Sequence, residues 1–354
     1  MSFSVLQITL LAFVLAAVGT AVLTRYTRTL SSLDRPNERS SHTVPTPRGG
    51  GIAIVATSTL GFFLAGLLGA IQTDVALALI GGGLAVAAVG LADDHGGVST
   101  KVRLGVHTSA ALWALLILDG VPSVQIGAEL IELNGLWSLV GVVGIVWVLN
   151  LFNFMDGIDG IAASEAIFVT LAGSLLAIAM GIASGVSLAA AIIAGSGLGF
   201  LIWNWPPAKI FMGDVGSGYL GYLIAILVLV SAVDSPVAIW VWLILGGGFF
   251  IDATTTLVRR LARRERVYEA HREHAYQWLA RRWDSHRPVT IGLMAVNLIW
   301  LLPFAVWSAL QPDRAAIIVV GAYLPLLIAA VLAGAGRAEH RTQATIAEKV
   351  SVDG

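Results

Sequence analysis

Eleven apolar stretches run through this chain of 354 residues. They lie near 3–23, 50–70, 75–92, 104–118, 136–152, 161–181, 185–203, 216–233, 237–257, 289–311 and 315–335, and 104–118 is the shortest. A bilayer core takes about 20 apolar residues as a helix. A chain patterned this way cannot fold as a water-soluble globule. Composition agrees: charged residues are 12%, against roughly 25% in soluble domains. Apolar residues are 57% and mean hydropathy is +0.83. A soluble enzyme, a disordered chain and a nucleic-acid binder are thereby excluded. The expectation is an all-α, polytopic integral membrane protein with about 11 transmembrane helices, residues 1–354 forming one domain. The first stretch has no basic residue ahead of it and is long for a signal-peptide core, so it is read as a helix. The net charge of −1 names no partner. With no cysteine there is no disulfide, no thiolate metal site and no Cys nucleophile.

Orientation follows from Lys and Arg. If the N-terminus is outside, the segments after odd-numbered stretches are cytoplasmic. Those segments hold 20 of the 21 basic residues, leaving only Arg314 outside. The 258–288 loop alone carries nine Arg, and 336–354 reads as a flexible cytoplasmic tail. Basic residues collect on the cytoplasmic side, so this pattern sets the topology and supports an odd number of crossings. The 120–135 segment, outside, reads as a small β-hairpin with Val124, Ile126 and Leu130 beside Glu129 and Glu132.

Polar groups at membrane depth are costly, so their placement is informative. The external acids are scattered, whereas every short cytoplasmic loop carries a compact polar motif. The first runs Asp34-Arg35-Pro36-Asn37-Glu38-Arg39-Ser40-Ser41-His42, then Pro45-Thr46-Pro47-Arg48-Gly49-Gly50-Gly51. Its glycines open the second stretch, where free backbone N–H groups and the helix dipole favour anions. Asp93-Asp94-His95-Gly96-Gly97 closes the third stretch, ahead of Lys101 and Arg103. Adjacent carboxylates repel unless a cation or proton lies between them. Asn153, Asp156 and Asp159 follow at i, i+3, i+6 within Asn150 to Gly160. On a helix they share about 120° of arc, a stripe of hard oxygen ligands suited to Mg²⁺. Phe211-Met212-Gly213-Asp214-Val215-Gly216-Ser217-Gly218 is a glycine-rich turn that could approach a phosphate, though it is not a Walker A loop. In the long loop, His271 and His274 sit one helical turn apart. A cationic clamp for a diphosphate suits that Arg-rich setting better than a metal site.

These motifs, in this order and on one side, resemble the polyprenyl-phosphate N-acetylhexosamine-1-phosphate transferases of glycosyltransferase family 4. The family includes enzymes that start O-antigen and teichoic-acid synthesis and the phospho-MurNAc-pentapeptide translocase. The resemblance implies a Mg²⁺-dependent phosphotransferase, with Mn²⁺ as an alternative ion, in the bacterial cytoplasmic (inner) membrane. A HexNAc-1-phosphate would pass from a UDP-N-acetylhexosamine (GlcNAc, FucNAc or QuiNAc) to undecaprenyl phosphate, releasing UMP. This is the first membrane step of O-antigen or another surface polysaccharide, such as a lipopolysaccharide or cell-wall polymer. By position, Asp214 and Asn153 match metal ligands, and Asp93 and Asp94 match the acidic pair near the lipid phosphate. Asp156 and Asp159 match residues holding metal or nucleotide. Phe211 matches an aromatic that stacks on uracil. Lys101 would neutralise a phosphate, and His271, Arg272 and His274 would grip the diphosphate, with Arg48 on the substrate side. The run His271-Arg272-Glu273-His274-Ala275-Tyr276 is less histidine-rich than in the translocase and looks most like the O-antigen-initiating branch. The partners implied are the nucleotide sugar, the polyprenyl phosphate and the bilayer, with no nucleic acid; a homodimer is compatible.

The alternatives are a phospho-MurNAc-pentapeptide-type transferase and a non-enzymatic transporter. A transporter places its charges at the midplane on broken helices, whereas the motifs here sit at cytoplasmic ends. A CDP-alcohol phosphatidyltransferase would need an Arg after Asp159-Gly160, where Ala163 and Ser164 stand.

Overall fold

The computed structural model describes residues 5–29, 33–34, 45–132, 135–182, 184–235, 238–266 and 271–338. The stretch from Arg35 to His42, and most of the 336–354 tail, lie outside the described residues. The chain is mostly helical. Its helices are α1 Val5–Thr29, α2 Gly51–Leu67, α3 Thr73–Gly96, α4 Thr100–Ile117, α5 Leu136–Met155, α6 Ile161–Ala179 and α7 Ser184–Asn204. They continue as α8 Asp214–Asp234, α9 Ala238–Leu245, α10 Gly247–Ala262, α11 Ala275–Trp283, α12 Arg287–Val296, α13 Leu302–Leu310 and α14 Ala315–Ala333. A π-helical turn, Asn297–Leu301, joins α12 to α13.

Each expected apolar stretch falls on a helix. Among the described residues, eight helices are long and apolar enough to cross a membrane, or nine if the bent pair α9 and α10 forms one span. The chain is a multi-pass membrane protein. The other two apolar stretches fall on α2, which is shorter, and on α4, which carries Lys101, Arg103 and His107. The α9–α10 pair bends by 74°, at the Gly246-Gly247-Gly248 run, where backbone freedom is greatest.

Span α8 lies at the centre, packed on α3 and α5 and buried over most of its length. At the periphery α1 packs on α7 and leaves Leu6, Leu10, Val14 and Val18 exposed, as a lipid-facing helix should. Gly195 and Gly199 form the contact: a Cβ there would lie 2.4 Å from the Thr9 and Phe13 carbonyl oxygens respectively. Small residues four apart let two membrane helices approach to backbone contact.

Two short antiparallel ribbons complete the fold. Strands β1 Leu33–Asp34 and β2 Thr46–Pro47 pair before α2. Strands β3 Val124–Ile126 and β4 Glu129–Ile131 pair with Val124 opposite Ile131, which is the hairpin expected in 120–135. The hairpin is held where Trp240 Nε1–H donates to the Gln125 carbonyl, and Gln125 Nε2–H donates to Asp313 at 3.2 Å.

One expectation fails here. Asn153, Asp156 and Asp159 do not form a stripe on a single helix. Helix α5 ends at Met155 with Asp156 as its C-cap, and α6 begins at Ile161. Gly157 and Gly160 lie in the intervening turn, and Gly160, at the left-handed φ of +74°, is the N-cap from which α6 starts.

Candidate active site

The end of α3, the start of α4, the end of α5 and the start of α8 meet at one place. Glycines let them do so. A Cβ on Gly90 of α3 would stand 2.5 Å from the Asp214 carbonyl oxygen. A Cβ on Gly51 of α2 would stand 2.4 Å from Gly216 Cα.

At this junction Asp94 is nearly buried. Its Oδ1 accepts from the Asp214 N–H at 2.9 Å, and its Oδ2 accepts from the Val215 N–H at 3.1 Å. Arg48 Nε lies 3.3 Å from Asp94 Oδ1, and its Nη2 reaches Asp214 Oδ1 at 3.9 Å. Asp93 is more open. Its Oδ1 accepts from the Val98 N–H at 2.6 Å, and its Oδ2 pairs with Arg103 Nη1. The same Arg103 nitrogen lies 3.5 Å from Asp214 Oδ2, so one guanidinium bridges two carboxylates. The Asn153 carboxamide interacts with the Asp214 carboxylate and donates to Ser217 Oγ at 3.1 Å. Asn153, Asp214, Arg103, His107 and Asn150 line one small pocket.

Two expected anion cradles are filled by the protein itself. The amides that open α2 are not free: Gly50 N–H donates to the Phe211 carbonyl and Gly51 N–H to the Met212 carbonyl, both at 2.9 Å. The amides that open α8 are satisfied by Asp94. The expectation of a backbone phosphate nest at these glycines is therefore corrected. A carboxylate already sits on the positive end of α8, which is the ligand such a helix start favours. The same bonds stitch the first loop to Phe211, whose N–H donates to the Pro47 carbonyl at 2.8 Å; its side chain is half-buried.

The site thus gathers carboxylates from two helices, two guanidiniums and a carboxamide at a single end of the bundle. Residues 76–232, which hold most of these groups, match the model of glycosyl transferase family 4. A probable undecaprenyl-phosphate N-acetylglucosaminyl 1-phosphate transferase of Bacillus subtilis is 30% identical over 292 residues, 80% of this chain and 78% of that protein. The chain belongs to glycosyl transferase family 4. A phospho-N-acetylmuramoyl-pentapeptide-transferase of Shouchella clausii is 28% identical, covering 61% of this chain and 69% of that protein. A decaprenyl-phosphate N-acetylglucosaminephosphotransferase of Mycobacterium leprae is also 28% identical, covering 55% and 53%.

The remaining motif residues of this family member surround the junction. Asp156, half-buried, feels Arg48 on one side and Asp214, Asp94 and Asp159 on the other. Burial first, and then those three acids, push its carboxyl well above the usual carboxylate range, against the pull of Arg48. Asp159 braces two loops. Its Oδ2 accepts from the Ala208 N–H at 3.0 Å, its Oδ1 lies 3.2 Å from His286 Nδ1, and its carbonyl accepts from Thr290 Oγ1. Lys101 is exposed on the first turn of α4 and makes no ion pair among the described residues.

The histidine motif is tied down from below. Asp252 on α10 accepts from the Ala275 N–H at 2.8 Å and the Tyr276 N–H at 3.0 Å, capping α11. His274 is buried, its ring stacked between those of His271 and Tyr276. His271 is half-buried; burial, with the nearby His274 and Arg260, holds its imidazole down to about 3. The Arg272 carbonyl accepts from Arg281 at 2.9 Å. Beneath the motif, Glu273 pairs with Arg260 at 3.0 Å and Arg263 at 2.6 Å. The Tyr276 hydroxyl donates to the Phe154 carbonyl at 2.9 Å, docking the motif beside Asp156.

Arg103, which the motif reading named beside the acidic pair without a role, and His286 and Tyr276, to which it gave none, are thus parts of the site. Arg103 stood in plain view two residues beyond Lys101. The other two are recognisable only from which loops meet.

Proposed function

We propose that this chain transfers a HexNAc-1-phosphate from a UDP-N-acetylhexosamine, with GlcNAc, FucNAc or QuiNAc as the sugar, to undecaprenyl phosphate, releasing UMP. The product is a polyprenyl-diphosphate-linked sugar, the opening intermediate of an O-antigen or related surface polysaccharide. The observation that carries the reading is the convergence of Asp93, Asp94, Arg103, Asn153 and Asp214 from α3, α4, α5 and α8. It is joined by the family membership and by the polyprenyl-phosphate substrates named in two of the relatives.

The proposal includes topology. Site residues lie at the ends of α3, α5 and α10 and at the starts of α2, α4, α6, α8 and α12. Such alternation suits helices that cross in turn, giving eleven crossings with the N-terminus outside. The basic residues collect at the same end, which suits the cytoplasmic face of a bacterial cytoplasmic membrane.

Chemically, a lipid phosphate has a second pKa of about 6, so at neutral pH the acceptor is largely a dianion and needs no strong base. The obstacle is bringing two anions together. Arg48 and Arg103 supply fixed positive charge at the junction, and Asp93 and Asp214 hold Arg103 in place. Of the acidic pair, Asp94 is nearly buried under the α8 amides and Arg48, whereas Asp93 is the more open, so positioning the acceptor falls to Asp93 together with the Arg103 it holds. Among the described residues no three Asp, Glu or His side chains form a ready-made metal cage. Hard oxygens from Asp214 and Asn153, beside a surplus of acids that perturbs Asp156, fit an ion that takes few protein ligands, as Mg²⁺ does. Asp214 and Asn153 would hold it, and it would supply charge neutralisation and a template for the diphosphate.

The test is a panel of UDP-sugars offered to the purified protein with undecaprenyl phosphate and Mg²⁺. One UDP-N-acetylhexosamine should yield UMP and a lipid-linked sugar, strictly dependent on the lipid phosphate. UMP release that ignores the lipid, or none with any donor, would overturn the reading.

A further inference from the structure

Deep in the bundle, away from the junction, two facing side chains each keep an unpaired oxygen. Glu165 lies on α6, five residues beyond Gly160. Asn297 opens the π-helical turn between α12 and α13. Both are 0% exposed. Asn297 Nδ2–H donates to Glu165 Oε2 at 2.5 Å. The Phe249 N–H, in the first turn of α10 just past the 74° bend, donates to the same carboxyl group. That leaves Glu165 Oε1 and Asn297 Oδ1 without partners. Both flank Gly248: a Cβ there would lie 3.3 Å from Asn297 Oδ1 and 3.8 Å from Glu165 Oε1.

An ionised carboxylate and an amide oxygen are both acceptors only. Two such acceptors, buried on either side of Gly248, are both satisfied if one of them carries a hydrogen. Among the described residues neither Arg nor Lys acts on Glu165 to stabilise a negative charge. Its ionisable neighbour is Tyr323 of α14, whose hydroxyl is already donated to the Leu243 carbonyl. We propose that Glu165 is carried as the neutral acid and closes a cyclic acid–amide pair with Asn297, and that this pair is a positioning device holding the start of α10 for the active site. In the pair, Asn297 Nδ2–H reaches Oε2 while the Oε1 hydroxyl donates to Asn297 Oδ1. Each oxygen then has its partner, and no charge is buried at membrane depth.

The consequence reaches the active site through α10. Asp252, one turn beyond Phe249, caps α11, and Tyr276 of α11 docks on Phe154 beside Asp156. Helix α6, which bears Glu165, follows directly on Asp159 and Gly160. The acid–amide pair therefore fixes the broken helix, and with it the His271–His274 motif, against the Asn153–Asp159 turn. Both side chains act through other residues and touch no substrate.

The kinetic part of the test rests on the transferase reading; the spectroscopic part does not. An infrared difference spectrum, wild type minus Glu165→Gln at neutral pH, should show the carbonyl band of a protonated carboxylic acid. Its absence overturns the proposal whatever the enzyme's activity. Gln supplies an N–H where the acid supplies O–H, so Glu165→Gln should keep kcat/KM within about threefold of wild type. Glu165→Ala and Asn297→Ala displace α10 and should lose roughly ten- to a hundredfold in kcat/KM, mainly through the nucleotide-sugar KM. A folded but inactive Glu165→Gln would show instead that an ionised carboxylate is needed, as a base or a cation ligand. Wild-type kinetics in both alanine variants would end the positioning role.

Discussion

The Asp94 carboxylate accepts hydrogen bonds from the Asp214 and Val215 backbone N–H groups, at 2.9 Å and 3.1 Å. One member of the acidic pair on α3 is thus the cap of the helix that carries Asp214. Replacing it disturbs fold and chemistry together. Asp94→Ala leaves two amides at the start of α8 without their acceptor and removes the nearer of the two carboxylates around Arg48. A buried polar group left unsatisfied costs about 1–3 kcal/mol. Asp94→Ala should therefore lower the thermal unfolding midpoint in detergent. It should also cut UMP release by about a hundredfold, because Asp214 is no longer held in place. Asp94→Asn keeps one acceptor oxygen and should fall between alanine and wild type in stability. Equal unfolding midpoints for all three proteins would remove the capping role.

Arg103 and Lys101 make a second contrast. Arg103 bridges Asp93 and Asp214, whereas Lys101 is exposed and makes no ion pair among the described residues. Arg103→Ala should reduce kcat/KM by roughly a hundredfold or more, since it removes fixed positive charge from the junction and leaves two carboxylates facing each other. Arg103→Lys should recover only part, because an ammonium cannot reproduce a planar fork. Lys101→Ala should stay within about threefold of wild type. Steady-state kinetics on the three variants check the order, and a larger loss at Lys101 than at Arg103 would reverse it.

That contrast shows where the sequence is legible and where it is not. The bilayer imposes a length and an apolarity that print themselves on the chain, so the apolar stretches fall on helices. Polar clusters at loop positions stand out against that background, which is why Asp93, Asn153 and Asp214 were readable. Which of two nearby cations faces inward depends on how α4 packs against α3 and α5. Successive helical residues turn by about 100°, so positions 101 and 103 point roughly 200° apart. The packing turns Arg103 to Asp93 and Asp214 and leaves Lys101 exposed. The destination of backbone N–H groups was unreadable for a like reason. The amides of Gly50 and Gly51 look free until Phe211 and Met212, far along the chain, supply their acceptors. The break at Gly246-Gly247-Gly248 falls inside 237–257, which apolarity alone marks as one stretch, because hydropathy does not register a bend.

His271 carries a pH prediction. Its imidazole is held down to about 3, against an ordinary value of 6.5, by burial and by His274 and Arg260. The folded protein therefore leaves it neutral where the unfolded chain would protonate it. Between about 6.5 and about 3 the unfolded state binds more protons at this group, so stability falls as pH is lowered through that window. His271→Gln does not titrate and should lose less of its unfolding midpoint than wild type when the buffer is taken from neutral to acidic. A neutral His271 can offer a diphosphate one N–H but no charge. The pH–rate profile of the wild type near neutrality should accordingly contain no step that His271→Gln removes; such a step would show that the ring does ionise in the working enzyme.

The last prediction concerns the ion. Asp214 binds Asp94 through its backbone, while its side chain faces Arg103, Arg48 and Asn153. Asp214→Asn removes the charge of that side chain and leaves the backbone cap untouched. The variant should therefore fold, with an unfolding midpoint close to that of wild type. If Asp214 and Asn153 hold Mg²⁺, adding the ion should raise the midpoint of the wild type, because a ligand that binds only the native state stabilises it by mass action. The same addition should leave Asp214→Asn unmoved, and Mn²⁺ should act as Mg²⁺ does. Chelation should abolish turnover in the wild type, and Asp214→Asn should show none with the ion present. Thermal shift and UMP release read different properties of the same pair, so agreement between them separates a lost ligand from a damaged fold. Near-normal turnover in the variant, with an intact Mg²⁺ shift, would mean that the ion is held by other residues and that Asp214 serves only to fix Arg103.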